Sequence, residues 1–184
     1  MLDQVLTCLC GRLEQALQAA HGRSEAWVAL AGPAEPDGST SEALRNRIAV
    51  GLVALQESAA SAFNRPGSGE GRQMAAPPLR LDAVIVIAAH FTGADYPLGL
   101  EMLSRVIVFF HGNPVFSHSD TPDLPPAIER LSVQFANLSL SDTALLLPPA
   151  VRAMPFALYQ VRGLHFEPAE DNRARSPIAV RTGP

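Results

Sequence analysis

The amino-acid sequence predicts an α/β fold: one domain in which helices pack on a sheet, in the element order α, β, β, β, α, β, β. Three stretches lead there. Residues 79–91 (LRLDAVIVIAAHF) are apolar on both alternating faces, with Leu81, Ala83, Ile85 and Ile87 on one and Val84, Val86 and Ala88 on the other. Such a strand belongs in the middle of a sheet covered on both sides. Residues 98–110 change to the helical period, with Leu98, Met102, Leu103, Val106, Phe109 and Phe110 on one stripe and Glu101, Ser104 and Arg105 off it. Residues 2–20 keep the same period through Leu2, Val5, Leu6, Leu9, Leu13, Ala16, Leu17 and Ala20.

In chain order, the first helix carries Asp3, Gln4, Arg12, Glu14, Gln15 and Gln18 on its polar face. His21 and Gly22 are expected to close it, the glycine taking a left-handed cap conformation. A short strand is expected at residues 26–30, then a loop, GPAEPDGSTSE, punctuated by Gly32, Pro33, Pro36 and Gly38. Residues 47–57 (RIAVGLVALQE) read as a long strand with Ile48, Val50 and Leu52 on one face and Val53 and Leu55 on the other; Gly51 weakens it or marks a bulge. Residues 58–74, which include NRPGSGEGRQ, have the composition of a long solvated connection, so the strands on either side are expected to pair antiparallel as neighbours. Gly112 and Asn113 end the second helix, and Pro114 prevents its resumption because it lacks an amide hydrogen and disfavours helical backbone in its predecessor.

SHSDTPDLPP is then a proline-rich loop. Residues 130–138 alternate more strictly, with Leu131, Val133 and Phe135 inward and Ser132, Gln134 and Ala136 outward, as expected of a strand nearer the edge. Ser141 and Asp142 are expected to cap a short helix that runs to Leu147 and is stopped by Pro148 and Pro149. Residues 154–166 supply the last strand. Residues 168–184 hold too little apolar content to pin themselves down, which leaves a domain at 1–167 and a flexible tail.

Composition narrows the function. A chain of 184 residues with 47% hydrophobic content can bury a core without help from a disulfide or metal. A net charge of −4 provides no field that gathers phosphate, so nucleic acid is not an expected partner. The charged fraction, 17%, is below the usual ~25%, which points to surface covered by other subunits. Asp3 stands where a secretory signal needs a basic residue, and no run reaches the ~18–20 apolar residues of a membrane helix. Assembly in the cytoplasm without membrane insertion is expected. Cys8 and Cys10 are about 200° apart around a helix and so read as reduced and unpaired.

Motifs for chemistry are missing. GSGEG at residues 67–71 lacks the preceding strand, the following helix and the Gly-Lys-Ser/Thr of a phosphate loop, and reads as linker. His21, His90, His111, His118 and His165 form no HxxxH or HExxH pattern. His111 and His118 flank the Asn113-Pro114 turn without a carboxylate at ligand spacing, and His111 is better placed at a helix C-terminus, where its charge is favoured. Asp120 and Asp123 lack the calcium-loop pattern and its closing Glu, and no serine sits in a GxSxG elbow. Arg80 and Asp82 share one face of the central strand and are expected to pair with a charge on a neighbour. No catalytic residue, cofactor or metal is therefore expected.

Several stretches in order carry a resemblance. PPLRLDAVIVIAAHF, LSRVIVFFHGNPVF, TPDLPPAIERLSVQFANLSL and PFALYQVR resemble the domain of unknown function 4255 family, the Pvc16-like proteins of extracellular contractile injection systems, and NRIAVGLVALQES resembles that family's first long strand. The likeness covers residues 1–167. One segment departs from the family pattern: ALLLPPAVRA stands where relatives usually carry a tryptophan and a glycine-containing turn.

The resemblance implies a structural cap, or tail terminator, seated on the last hexameric ring of an inner tube and beside the end of a contractile sheath. It also implies the α/β fold of phage tail terminators, a single domain with a mixed, largely antiparallel sheet and helices packed on it. The expected partners are other copies in a homo-hexamer, the inner tube protein and the sheath protein, in a particle either released or membrane-anchored. The proline-rich loops 32–46 and 113–127 are the expected contact regions, with Val115, Phe116, Arg47 and Asp123 as candidate contact residues, Phe116 reading equally as a core anchor. Two other readings stay open: a monomeric adaptor or cargo-binding module of the same particle, and a small-molecule enzyme, for which no converging polar pocket can be assembled from these residues.

Overall fold

The computed structural model describes residues 1–32, 35, 38, 39, 41–59 and 79–166. The tail expected at 168–184 lies outside them, as does the connection expected at 58–74 apart from its first two residues. The elements are α1 (Leu2–Ala20), β1 (Val28–Leu30), β2 (Ile48–Glu57), β3 (Leu79–Ala89), α2 (Tyr96–Gly112), β4 (Val115–Ser117), β5 (Arg130–Phe135), α3 (Leu140–Leu146), α4 (Pro149–Arg152) and β6 (Phe156–Phe166).

These build one mixed sheet in the order β1-β2-β3-β6-β5-β4, parallel only between β1 and β2. The α/β class is as the sequence pattern predicts, and the mixed, largely antiparallel sheet is as the family resemblance implies. Strand β3 lies inside it and is buried from Asp82 to Ala89 because both its side-chain sets are apolar. It pairs antiparallel with β2, Ile48 opposite Ala89 and Glu57 opposite Leu81, as expected for neighbours in sequence. Strand β6 comes last and takes the other side of β3.

Helices α1 and α2 cover one face. Leu9, Leu13 and Leu17 from α1 and Met102, Val106 and Phe110 from α2 meet Ile85, Ile87, Tyr159 and Val161 of the sheet in the main core. The close approach of α2 depends on Gly99, where a Cβ would strike the ring of Phe91. On the opposite face Val84, Val86, Ala88 and Leu158 are covered by Leu147 and Val151, just after α3 and within α4.

Several boundaries differ from expectation for local reasons. Helix α2 begins at Tyr96, since Pro97 falls in the first turn, where an amide hydrogen would have no helical partner anyway. Residues 115–117, expected in a loop, form β4 against β5; a three-residue strand is too short to show a period, and it is secured by Phe116 packing near Phe109 and Phe110. Strand β5 stops at Phe135, which is exposed rather than inward because the strand ends beside the last turn of α2 instead of beneath it. The bulge in β2 falls at Val53, between Leu52 and Ala54, not at Gly51. Helix α1 ends without a left-handed glycine: His21 has φ −140°, and its carbonyl accepts a hydrogen bond from Trp27 Nε1 at 2.7 Å. Ser139, not Ser141, caps α3, accepting from the Asp142 amide at 3.1 Å and donating to the Asp142 carboxylate at 2.6 Å.

Polar links fasten the layers. The Glu14 carboxylate accepts from the amides of Trp27 at 3.2 Å and Val28 at 2.7 Å, so α1 caps the start of β1. Asp82 pairs across the sheet with Arg162 at 3.6 Å and accepts from Gln160 at 3.3 Å, the cross-strand pairing the sequence predicts for it. Glu101 on α2 contacts His21 at 2.8 Å and Arg105 at 2.9 Å, joining the end of α1 to α2.

Two outcomes test this frame. Gly163 has φ +99° at a bulge in β6, and a Cβ there would collide with the carbonyl oxygen of Arg130, so Gly163→Ala should cost about 2 kcal/mol or more and lower the melting temperature by about 4–8 °C. An unchanged melting temperature would refute the strain. The His21 hydrogen bond, and after it Arg105, hold the Glu101 carboxyl below its ordinary value. Its stabilising effect is thus present above the unfolded carboxylate value, about 4.3, and fades as pH falls through the lower folded one. The gap in melting temperature between wild type and Glu101→Gln should close as pH drops below about 4; a gap that ignores pH would count against the network.

Candidate assembly surfaces

Four surfaces stand out once the sheet and helices are in place. The first lies at the β4–β5 edge, where the chain after β4 turns tightly: the amides of Asp120 and Thr121 donate to the Ser117 carbonyl at 3.1 and 2.8 Å. Ser117 and Ser119 hydroxyls donate to Asp120 at 2.9 and 3.3 Å. This loop faces the polar side of α1 across a cleft of about 490 Å³, bordered by Asp3, Thr7, Cys8, Arg12, Asp120, Thr121 and Asp123. Asp123 makes no hydrogen bond or ion pair with the described residues. Thr121 is 2% exposed with an unpaired hydroxyl, and Arg12 Nε is likewise enclosed and unpaired. Burial, and then the charge of Asp123, push the Cys8 thiol up, with Arg12 opposing them.

The second surface is near the other edge of the sheet, at the start of its second strand. The chain enters β2 through Arg45, Asn46 and Arg47, after a single 3-10 turn at Glu42–Leu44. Asn46 has φ +57°, a left-handed conformation that asparagine tolerates better than most residues. Its side chain donates to Asp95 at 3.0 Å and its amide to the His90 carbonyl at 2.8 Å, while the His90 amide donates back to Arg47 at 2.9 Å. Arg45 is exposed and Arg47 half-buried.

The remaining two are apolar. Helix α3 presents Leu140 and Leu145, 90% and 87% exposed, with Leu138 and Leu146 beside them. Between α2 and the end of β5 runs a groove of about 400 Å³, lined by Ile107, Phe110, Pro114, Val133, Phe135 and Tyr159 among others. Phe135 is 54% exposed at its rim, whereas Tyr159 is 3% exposed and its hydroxyl has no partner; burial pushes that phenol up to about 12.

Of the residues singled out from sequence, Asp123 borders the cleft and Arg47 lies at the opposite edge, so the structure does not bring them together within one chain. Val115 is half-buried in β4. Phe116 is a correction: its ring is core, packed near Phe109 and Phe110, and offers no surface to a partner. Sequence reading passed over Thr121 and the leucines of α3. Only the leucine-rich ALLL of a short helix signalled the latter, since too many apolar side chains for one face must leave some outside.

Chemical centres are not assembled from these parts. Among the described residues no three His, Cys, Asp or Glu side chains come together to hold a metal ion, and His111 and His118 are both exposed. Burial pushes the Cys10 thiol up to about 12, which keeps it protonated and unreactive. Burial lowers His90, favouring the neutral ring. No helix among the described residues is long and apolar enough to cross a membrane.

Comparison with known families accounts for nearly the whole chain. No curated protein matches it significantly. The family model of the Pvc16 N-terminal domain matches residues 4–179, spanning both sheet edges, both helical layers and all four surfaces. The chain therefore belongs to the Pvc16 N-terminal domain family, which relates it to contractile injection systems, the phage-tail-like particles to which the resemblance of its ordered sequence stretches already pointed.

Proposed function

We propose that this protein is a structural cap of such a particle, a tail terminator that ends the inner tube and holds the adjoining end of the sheath. Family membership over residues 4–179 carries the reading. Its physical logic is that a tube of stacked rings is a head-to-tail polymer whose interface never closes, so growth stops only when something binds the terminal face without offering another. A ring of six copies does this by matching the symmetry of the tube. The unlike surfaces at the two edges of the sheet support such a ring, because protomers in a ring meet through two different patches rather than one patch twice. The exposed leucines of α3 and the groove beside Phe135 are the apolar areas best suited to tube and sheath proteins. The role requires no catalysis, cofactor, nucleic acid or membrane insertion, and assembly takes place in the cytoplasm, whether the finished particle is released or membrane-anchored.

Deleting the gene and measuring particle lengths by electron microscopy tests the cap. Tube and sheath subunits remain intact without it, so elongation should run past its normal stop and give over-long or variable particles with poorly held sheath ends. A narrow, unchanged length distribution with intact sheath ends would refute the role. Normal lengths with empty lumens would instead mark a cargo adaptor.

A further inference from the structure

The residue that closes α1 meets α2 through one ring nitrogen with two competing neighbours. Nε2 of His21 lies 2.8 Å from Glu101 Oε1 and 3.2 Å from Nη2 of Arg105. Arg105 donates to the same Oε1 from Nη2 at 2.9 Å and from Nε at 3.3 Å. One imidazole nitrogen cannot donate to a carboxylate and accept from a guanidinium at once, so the neighbour it serves depends on whether it carries a proton. Without one, its lone pair accepts from Arg105, and the guanidinium bridges ring and carboxylate. In the imidazolium both ring nitrogens are donors, so Nε2 donates to Glu101 and turns a like charge toward Arg105. Histidine is the side chain that makes this change between about pH 5 and pH 8.

The surroundings open this choice to protons and give it a consequence. The His21, Glu101 and Arg105 side chains are 39%, 47% and 39% exposed. Among the described residues no other carboxylate pairs with His21 or Arg105. The charged groups close by are engaged elsewhere: Glu14 with Gln18 and the amides of Trp27 and Val28, and Arg23 with the carbonyls of Glu25 and Ala26. Arg23 also stacks on Trp27, 3.9 Å from the ring centroid, and Trp27 meets the His21 ring edge-on. With Ala16, Leu17, Ala20, Val108 and Phe109, Arg105 lines a largely apolar groove of about 490 Å³ between α1 and α2. We infer that His21 is a pH-sensitive switch between the two helices: neutral, it holds Arg105 on Glu101; protonated, it donates to Glu101 itself and frees the guanidinium at the rim of this groove. The tie between α1 and α2 persists in both states, while the free cation is offered to the groove only on acidification. The switch is independent of the cap role, since it uses none of the surfaces assigned to that role.

A double-mutant cycle on the full chain, run at two pH values, tests it. The melting-temperature coupling between Glu101→Gln and Arg105→Gln should be measurable at about pH 8 and fall to less than about half at about pH 5. Glu101 is still charged at the lower pH, because His21 and then Arg105 hold its carboxyl below the ordinary value, so the loss reports His21 and not Glu101. In a His21→Gln background, whose side chain does not titrate, the coupling should be equal at both pH values. Each cycle compares variants at one pH, so a general loss of stability in acid cancels. A coupling that ignores pH in the native background would overturn the switch, as would a His21→Gln background that keeps the pH dependence.

Discussion

The burial of β3 on both faces is the constraint from which the rest of the architecture follows. Val84, Val86 and Ala88 point one way and Ala83, Ile85 and Ile87 the other, and each large aliphatic side chain is worth roughly 1.5–3 kcal/mol only when it leaves water. A strand of this kind cannot sit at an edge or on a one-sided sheet. It therefore takes β2 and β6 as flanks, the α1–α2 layer above and the short α3–α4 segment beneath. The two layers differ greatly in size. One is built from two long helices, and the other rests chiefly on Leu147 and Val151, which is why α3 carries leucines that its own chain leaves in solvent.

The breadth of the sheet decides how its edges are used. Helix α1, about 28 Å long at 1.5 Å per residue, spans the sheet, with Asp3 and Thr7 near the β4–β5 loop and Glu14 and His21 at β1 and Trp27. Both edge strands have only three residues. Short edges present little unpaired main chain and so discourage uncontrolled strand addition, leaving recognition to side chains. The ring proposed above would gain from this, since side-chain chemistry discriminates between partners better than a bare strand edge does.

Burial keeps most of the shifted titratable groups in their neutral forms. Cys8, Cys10 and Tyr159 are all shifted upward by burial, which keeps them neutral, and His90 is shifted downward for the same reason. Glu101 moves the other way because His21 and Arg105 stabilise its charged form in a link between two helices. Among the described residues the polar side-chain atoms left enclosed without a hydrogen-bond partner are Thr121 Oγ1, Arg12 Nε and the Tyr159 hydroxyl.

The periodicity of the chain was enough to establish α1, α2, β2, β3 and β6 and the antiparallel pairing of β2 with β3, because each is long enough to repeat its apolar pattern several times and the pattern distinguishes strand from helix. Motif order was likewise enough to reach the family, which the match over residues 4–179 bears out. Strand β4 and the exposure of Phe135 were beyond it. Three residues show no period, and whether an alternating residue is covered depends on where a helix from elsewhere in the chain happens to end. Phe116 illustrates the same limit, since an aromatic side chain in a proline-rich loop reads alike whether it faces a partner or locks a short strand to α2. Asp123 in a loop and Arg47 at the start of a strand could be picked from sequence, but only the strand order put them toward opposite sides of the sheet. The cleft itself, joining residues 3–12 to residues 120–123, exists because tertiary packing lays α1 across the sheet, a juxtaposition of distant segments that no local pattern encodes.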